Sequence, residues 1–326
     1  MIIARTPLRI SLGGGGTDLP SYYRSAGDGF LVAAAITKYI YIAINQNFDD
    51  DILLKYSAIE RVKEVDDVRH PLFREALRLT RTRNRVEISS MADIPANTGL
   101  GSSGSFTVGL LKALHAYQHS VVSNAQLAEQ ACHIEIDRLG EPVGKQDQFI
   151  AAMGGVTAFE FREDDSVEIS PVPMAQSTRD RLEENLHLFY TGMTRSAGYI
   201  LADQDQKSKA SDAGTKDNLD QVKRIGRESF DALRDGNLKW FSALMSEQWE
   251  LKRARSPSAT NRQIDEWIRT GLEAGAEGGK LVGAGGGGFL LFYSEHKADL
   301  REAMSALGLP EVRFRFDYEG TKLVVS

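Results

Sequence analysis

The chain has a single cysteine, Cys132, in 326 residues. It therefore carries no disulfide framework, which suits a reducing compartment. It also lacks any apolar run approaching the ~20 residues that a membrane-spanning helix requires. The longest near the start, FLVAAAI (Phe30–Ile36), is strand-sized. The opening MIIARTPLRISL has neither the long apolar centre nor the cleavage site of a signal peptide. Positive charge is not in surplus: the formal net charge is −6, which argues against general nucleic-acid binding. The one basic cluster, REALRLTRTRNR (Arg74–Arg85), has no interleaved aromatics for bases to stack on and reads as a solvated helix end. Internal repeats and low-complexity tracts are absent. These absences point to a cytoplasmic globular protein that binds neither nucleic acid nor membrane.

What the chain does have is glycine in runs. RISLGGGGTDLP (Arg9–Pro20) holds four in a row, and GAGGGGF (Gly283–Phe289) holds four more near the other end. Such runs cost backbone entropy that neither a helix nor a strand recovers, so something must approach the backbone closely. The length favours two domains. The polar, proline-bearing stretch Glu163–Thr178 sets the expected boundary, giving domains 1–172 and 173–326. In the first, MIIARTPLRISL and NRVEISSM read as strands, and FLVAAAITKYIYIAINQN (Phe30–Asn47) as one long strand or two short ones. Helical spacing runs through HPLFREALRLTR and from Ser103 to Leu114. Another helix opens at Ser123 with Gln126 three residues on, a capping-box pattern, and stops at Gly140 before Pro142. The second half alternates charged helices with a small antiparallel sheet, and two short strands are expected to finish the chain.

Glycine runs direct attention to phosphate. A Walker A loop fails at AGAEGGKLV, where Gly279-Lys280 is followed by Leu281 and the first glycine is missing. The dinucleotide pattern G-x-G-x-x-G occurs twice, at Gly99/Gly101/Gly104 and Gly283/Gly285/Gly288, each time without the strand–helix context it needs. IPANTGLGSSGSF (Ile94–Phe106) remains. Its glycines and serines lead straight into a helix, whose first N–H groups and dipole favour an anion. Ser102 and Ser103 could give hydroxyls to phosphate or Mg²⁺. On the residues alone this loop is equally a helix cap with a tight turn. In HIEIDRLGEPVGKQDQF (His133–Phe149), Glu135 and Asp147 are candidates for the two carboxylates of a kinase, one for Mg²⁺ and one beside the accepting hydroxyl. Asp147 lies in a turn beside Lys145. Arg9 has the shape to stabilise a transferring phosphoryl group. Each of these is, singly, also an ordinary surface residue.

Taken in order, PLRISLGGGGTD, PANTGLGSSGS, GKQDQ and KLVGAGGGGF resemble the GHMP small-molecule kinases, and the motifs span nearly the whole chain. The GGGGTDLP opening and GEPVGKQDQ are similar to the heptose 7-phosphate kinase branch of that family. The resemblance implies an α+β, two-domain fold, with a ribosomal protein S5 domain 2-like N-terminal half, a ferredoxin-like C-terminal half and the site between them. It implies ATP and Mg²⁺. Ser103 and Glu135 match the metal ligands, Asp147 and Arg9 the catalytic pair, and Pro95 with Gly99, Leu100, Gly101, Ser102, Ser103 and Gly104 the phosphate loop. Thr17 and Asp18 match a sugar-holding Thr-Asp. Gly15 and Gly16 stand where galactokinases have a Glu-His pair, which makes room for a larger or anionic sugar. Gly285, Gly286 and Gly287 would lie near substrate.

The expected reaction is ATP-dependent phosphorylation of the anomeric hydroxyl of D-glycero-D-manno-heptose 7-phosphate, with Lys145 and Arg195 as cations for the distal phosphate and a homodimer as a possible assembly. The alternatives are a kinase for fucose, arabinose or a uronic acid, and a non-catalytic sugar or nucleotide sensor on the same fold.

Overall fold

The computed structural model describes residues 1–193 and 213–325. Two sheets organise them. The larger is built on β1 (Ile2–Gly13) and β2 (Asp28–Gln46), which pair antiparallel with Arg9 opposite Ala35. β2 runs unbroken for 19 residues because it serves two neighbours in turn: its first half pairs with β6 (Val156–Arg162) and its second with β5 (Val86–Ala92). The strand order is β11-β1-β2-β5-β3-β4, with β3 (Ile52–Lys55), β4 (Ile59–Val62) and β11 (Lys322–Val325). β7 (Val167–Pro171) joins beyond β6, and the expected domain boundary falls after it. β3 and β5 run parallel; the other pairs are antiparallel.

The run of small apolar residues in β2, Leu31 to Ile36, is fully buried. Covering it are α3 (Ser102–Tyr117) and α5 (Gln146–Met153), with α4 (Asn124–Cys132) and α2 (Pro71–Leu79) packed outside. α1 (Pro20–Ala26) follows the first glycine run. The capping box of α4 is present: the Ser123 hydroxyl accepts from the Gln126 N–H at 3.3 Å, and Gln126 Oε1 accepts from the Ser123 N–H at 3.0 Å. Beyond Cys132 the expected α-helix gives way to a π-helical turn, His133–Arg138, closed by Leu139 N–H to Ile134 O at 3.0 Å. The wider turn shifts the face on which later side chains emerge, and Glu135 is turned inside.

In the second half, α6 (Gln176–Asn185) leads into a three-stranded antiparallel sheet, β8 (Leu186–Tyr190), β10 (Phe289–Tyr293) and β9 (Gly278–Leu281), in the order β8-β10-β9. Around it lie α7 (Ala213–Arg234), α8 (Leu238–Arg255), α9 (Arg262–Glu273) and α10 (Lys297–Ala306). Phe189, Trp249, Trp267, Leu290 and Phe292 centre its own core.

The chain's end differs from expectation. Only β11 is a strand there; residues 311–317 bridge the two sheets instead. Val312 N–H reaches Leu188 O (2.8 Å) in the small sheet, and Asp317 N–H reaches Ala35 O (2.9 Å) in the large one. An extended segment shared between two sheets has too few partners in either to count as a strand. Among the described residues no helix is long and apolar enough to cross a membrane.

Candidate active site

β1 carries Arg9 into the interior, and the first turn of α5 brings Asp147 to it. Arg9 Nε donates to Asp147 Oδ1 at 2.7 Å and Nη2 to Oδ2 at 2.8 Å, while Nη1 holds the Gly99 carbonyl at 2.5 Å. This parallel fork fixes both direction and distance. The pair fits only because its neighbours have no side chains. A Cβ on Gly101 would stand 2.9 Å from Arg9 Cγ, and one on Gly104 would stand 2.8 Å from Asp147 Cβ. Gly101 caps α3 in the left-handed region at φ +76°, where glycine is the default residue.

Ser102 and Ser103 open α3. Ser103 Oγ donates to Glu135 Oε2 at 2.7 Å, joining the start of α3 to the π-turn. Burial pushes the Glu135 carboxyl up to about 7, against the polar side chains of Ser103, Gln148 and Thr107, which favour its charged form. Its Oε1 is buried with no partner in hydrogen-bonding geometry. Asp18 ties the first glycine run to α5: Oδ1 accepts from Gly16 N–H and Oδ2 from Gln146 N–H, both at 3.0 Å. Burial raises its pKa, partly offset by the Gln146 N–H. Asp18 thus anchors the residue next to Asp147.

These groups face a cleft of ≈ 210 Å³ lined by Arg9, Gly15, Gly16, Asp18, Gly99, Gly101, Ser102, Ser103 and Asp147 on one side. Ser11 and Ser102 hydroxyls and Gln146 Oε1 are buried there without partners. Buried polar groups are nearly always hydrogen-bonded to protein, water or ligand, so these atoms leave this wall of the cleft able to bind a polar group.

Other expected residues lie elsewhere. Thr17 turns inward, its hydroxyl donating to Gly14 O and Phe30 O at 2.9 Å each. Leu100 is fully buried and its carbonyl accepts the Arg9 N–H, so it pins the loop to β1. The Pro95 carbonyl accepts the Thr98 hydroxyl at 3.0 Å. Gly285 and Gly287 back onto Ala259 and Met193, and Gly286 N–H bonds Ala259 O at 2.7 Å, so this stretch packs on its own half rather than lining the cleft. Lys145 is not brought to the cleft either. Its ammonium donates to Asp165 O at 2.8 Å and lies over the Tyr23 ring. Arg195 falls outside the described residues.

The opposite wall holds cations that sequence reasoning missed: Lys252 and Arg255 of α8 and Lys280 of β9. Lys280 donates to Leu12 O (2.8 Å) and Gln248 Oε1 (3.1 Å), Lys252 to Gly283 O, and Arg255 Nη1 to Asn218 Oδ1 (2.6 Å). Burial brings both lysines down to about 7 and Arg255 down to about 10, with neighbouring cations adding to the effect on the lysines. The i, i+3 spacing of Lys252 and Arg255, in phase with Gln248 and Trp249, was the available signal.

A phosphate-ready helix start, a fork-held carboxylate and a second acid beside a serine define a small-molecule kinase. Comparison with known families agrees: the GHMP kinases N terminal domain matches residues 68–155 and the GHMP kinases C terminal domain residues 229–309. The chain belongs to the GHMP kinase family and is an ATP-dependent phosphotransferase with an alcohol group as acceptor, a sugar kinase. It is 26% identical, over 98% of both chains, to the D-glycero-alpha-D-manno-heptose 7-phosphate kinase of Campylobacter jejuni. Its fold is similar to that of a D-glycero-D-manno-heptose 1-phosphate kinase from Bacteroides thetaiotaomicron (TM-score 0.81, 24% identity, covering 99% of this chain and 98% of that one). It also resembles galactose-bound galactokinase from Lactococcus lactis (TM-score 0.77, 18% identity, covering 100% and 95%).

Proposed function

We propose that the enzyme transfers the γ-phosphoryl group of ATP to the anomeric hydroxyl of D-glycero-D-manno-heptose 7-phosphate, giving the 1,7-bisphosphate. The Arg9–Asp147 fork carries the reading, because it sets a carboxylate and a guanidinium side by side at the floor of the cleft. Similarity over nearly the full length to a heptose 7-phosphate kinase supports the acceptor. So do Gly15 and Gly16, whose bare backbone leaves room beside Asp18.

Asp147 Oδ1 accepts from both Arg9 Nε and Gln146 Nε2 (3.1 Å), whereas Oδ2 accepts only from Arg9 Nη2. The lone-pair capacity left on Oδ2 receives the acceptor hydroxyl and aims its oxygen at phosphorus. In a loose transition state positioning counts for more than deprotonation. Three of the five Arg9 N–H donors are spent on Asp147 and Gly99. The remaining two are free to meet charge on the transferring group. The free N–H groups of α3 and the Ser102 hydroxyl cradle the nucleotide phosphates.

A divalent metal fits this donor set: Ser103 and Glu135 offer oxygens side by side, and Glu135 Oε1 is an orphan. Bound there, Mg²⁺ would neutralise phosphate charge. The test is an ADP-release assay with ATP and Mg²⁺ across heptose 7-phosphate, mannose 6-phosphate, mannose, fucose and galactose. Turnover with heptose 7-phosphate well above the neutral sugars is expected; preference for a neutral sugar would discard the acceptor.

A further inference from the structure

Arg255 and Lys280, both buried, and Lys252, half-buried, form a positively charged wall of the cleft. Among the described residues no carboxylate pairs with any of the three, and their partners are carbonyl oxygens of Gly283, Leu12, Gln248 and Asn218. Arg255 Nε is buried with no partner at all. Buried cations without a counter-charge are costly, and here two of them converge with the half-buried Lys252 on one cavity. The Arg9–Asp147 pair that lines the same cleft is already neutral as a unit.

The wall comes from other elements than the donors that serve nucleotide phosphates, and Lys252 meets their loop only through the Gly283 carbonyl. Those donors come from the start of α3 and the Ser103–Glu135 pair. Lys280 instead grips the carbonyl of Leu12, one residue before the glycine run Gly13–Gly16 that leads to Asp18. Arg255 is braced by Asn218 of α7, whose Val222 also lines the cleft and whose Gly226 and Ser229 back Gly13 and Gly14. The cations therefore border the acceptor's side of the cavity.

We propose that Lys252, Arg255 and Lys280 form the subsite for a phosphomonoester dianion carried by the acceptor, remote from the hydroxyl that is phosphorylated. This rests on the kinase reading above and names the residues that would make the enzyme specific for a phosphorylated sugar. A phosphate with close to two negative charges and three acceptor oxygens matches two point-charge ammonium groups and one guanidinium fork. It would also restore full protonation of the two lysines, which burial holds near 7.

Two measurements test this. First, inorganic phosphate is titrated calorimetrically into protein saturated with Mg²⁺ and a non-hydrolysable ATP analogue, so that the nucleotide site is filled. Saturable binding is expected, weakened at least tenfold in Lys280→Met and Arg255→Met and kept within a few-fold in the charge-preserving Lys280→Arg, which also controls for folding. Phosphate binding that is absent from the wild type, or equal in wild type and Met variants, overturns the subsite. Second, the ratio of kcat/KM for heptose 7-phosphate to that for the unphosphorylated heptose should fall at least tenfold in the same Met variants. A rise in KM for ATP with that ratio intact would assign the cations to the nucleotide and overturn the proposal. If heptose 7-phosphate is not turned over but phosphate binding is lost in the Met variants, the heptose reading fails and the subsite stands.

Discussion

Gly99 of the Ile94–Phe106 loop and Gly283 of the Gly283–Phe289 run lie against each other across the cleft. A Cβ on Gly283 would stand 2.4 Å from the Gly99 Cα, and one on Gly99 would stand 2.7 Å from Val282 O. Both residues are in the left-handed region, at φ +76° and +83°. The bare backbone here lets the two halves touch, and Arg9 and Lys252 hold the carbonyls of the same two glycines from either side. Gly283→Ala should therefore lose about 1–3 kcal/mol of stability through strain and backbone clash. It should also raise KM for ATP by displacing the loop. Thermal denaturation with steady-state kinetics checks both; an unchanged Tm would show that the contact yields freely.

Asp147→Asn keeps the shape of the fork's partner but removes its charge and half of its acceptor capacity. The expected loss in kcat is ~10²–10⁴-fold, with acceptor KM changing little, since the interaction matters most in transit. Arg9→Lys keeps the charge and loses the fork, and should cost about 10²-fold. Single-turnover rates separate this chemical effect from product release.

Ser103→Ala and Glu135→Gln remove one oxygen ligand or its charge from the candidate metal position. The Mg²⁺ concentration for half-maximal activity at fixed ATP should rise roughly 10–100-fold in either variant. An unaltered Mg²⁺ dependence would move the metal away from this pair.

Lys280→Met carries a pH signature. Burial takes the Lys280 ammonium from its ordinary 10.5 down to about 7, so the folded state releases a proton that the unfolded chain still holds. The cost of burying the charge is therefore complete below about 7 and fades as pH rises towards 10.5. Without ligand, the variant should be more stable than wild type by roughly 2–4 kcal/mol at pH 6, the desolvation gain less the lost hydrogen bonds. Near pH 10 the order should reverse by about 1 kcal/mol, because only the bonds to Leu12 and Gln248 remain to be lost. Denaturant titrations at the two pH values read this directly.

Much of this site could be read along the chain because its motifs are local. Arg9, Ser103 and Asp147 each sit close to glycines that announce a turn or a helix start, and the structure brings the three to one cleft, with Glu135 buried behind Ser103. The inward turn of Glu135 was not legible, since it depends on a π-turn within a stretch of ordinary helical composition. Lys252 and Arg255 belong to a charged helix whose buried face is set by what packs on it, and Lys280 sits in a failed Walker pattern. Lys145 had the right sequence neighbours but the wrong direction, because Asp165 and Tyr23 draw its side chain to the far side of α5's first turn. The small apolar run of β2 did not reveal one strand or two, since the answer lies with β5 and β6, more than 40 residues away in sequence.

The most direct test of the central claim is ³¹P NMR of the enzyme with ATP, Mg²⁺ and D-glycero-D-manno-heptose 7-phosphate. The account predicts that, as ADP forms, a second phosphomonoester signal appears, split by the anomeric proton, while the 7-phosphate signal persists. ATP left intact, or a new phosphate bonded at any carbon other than the anomeric one, would contradict it.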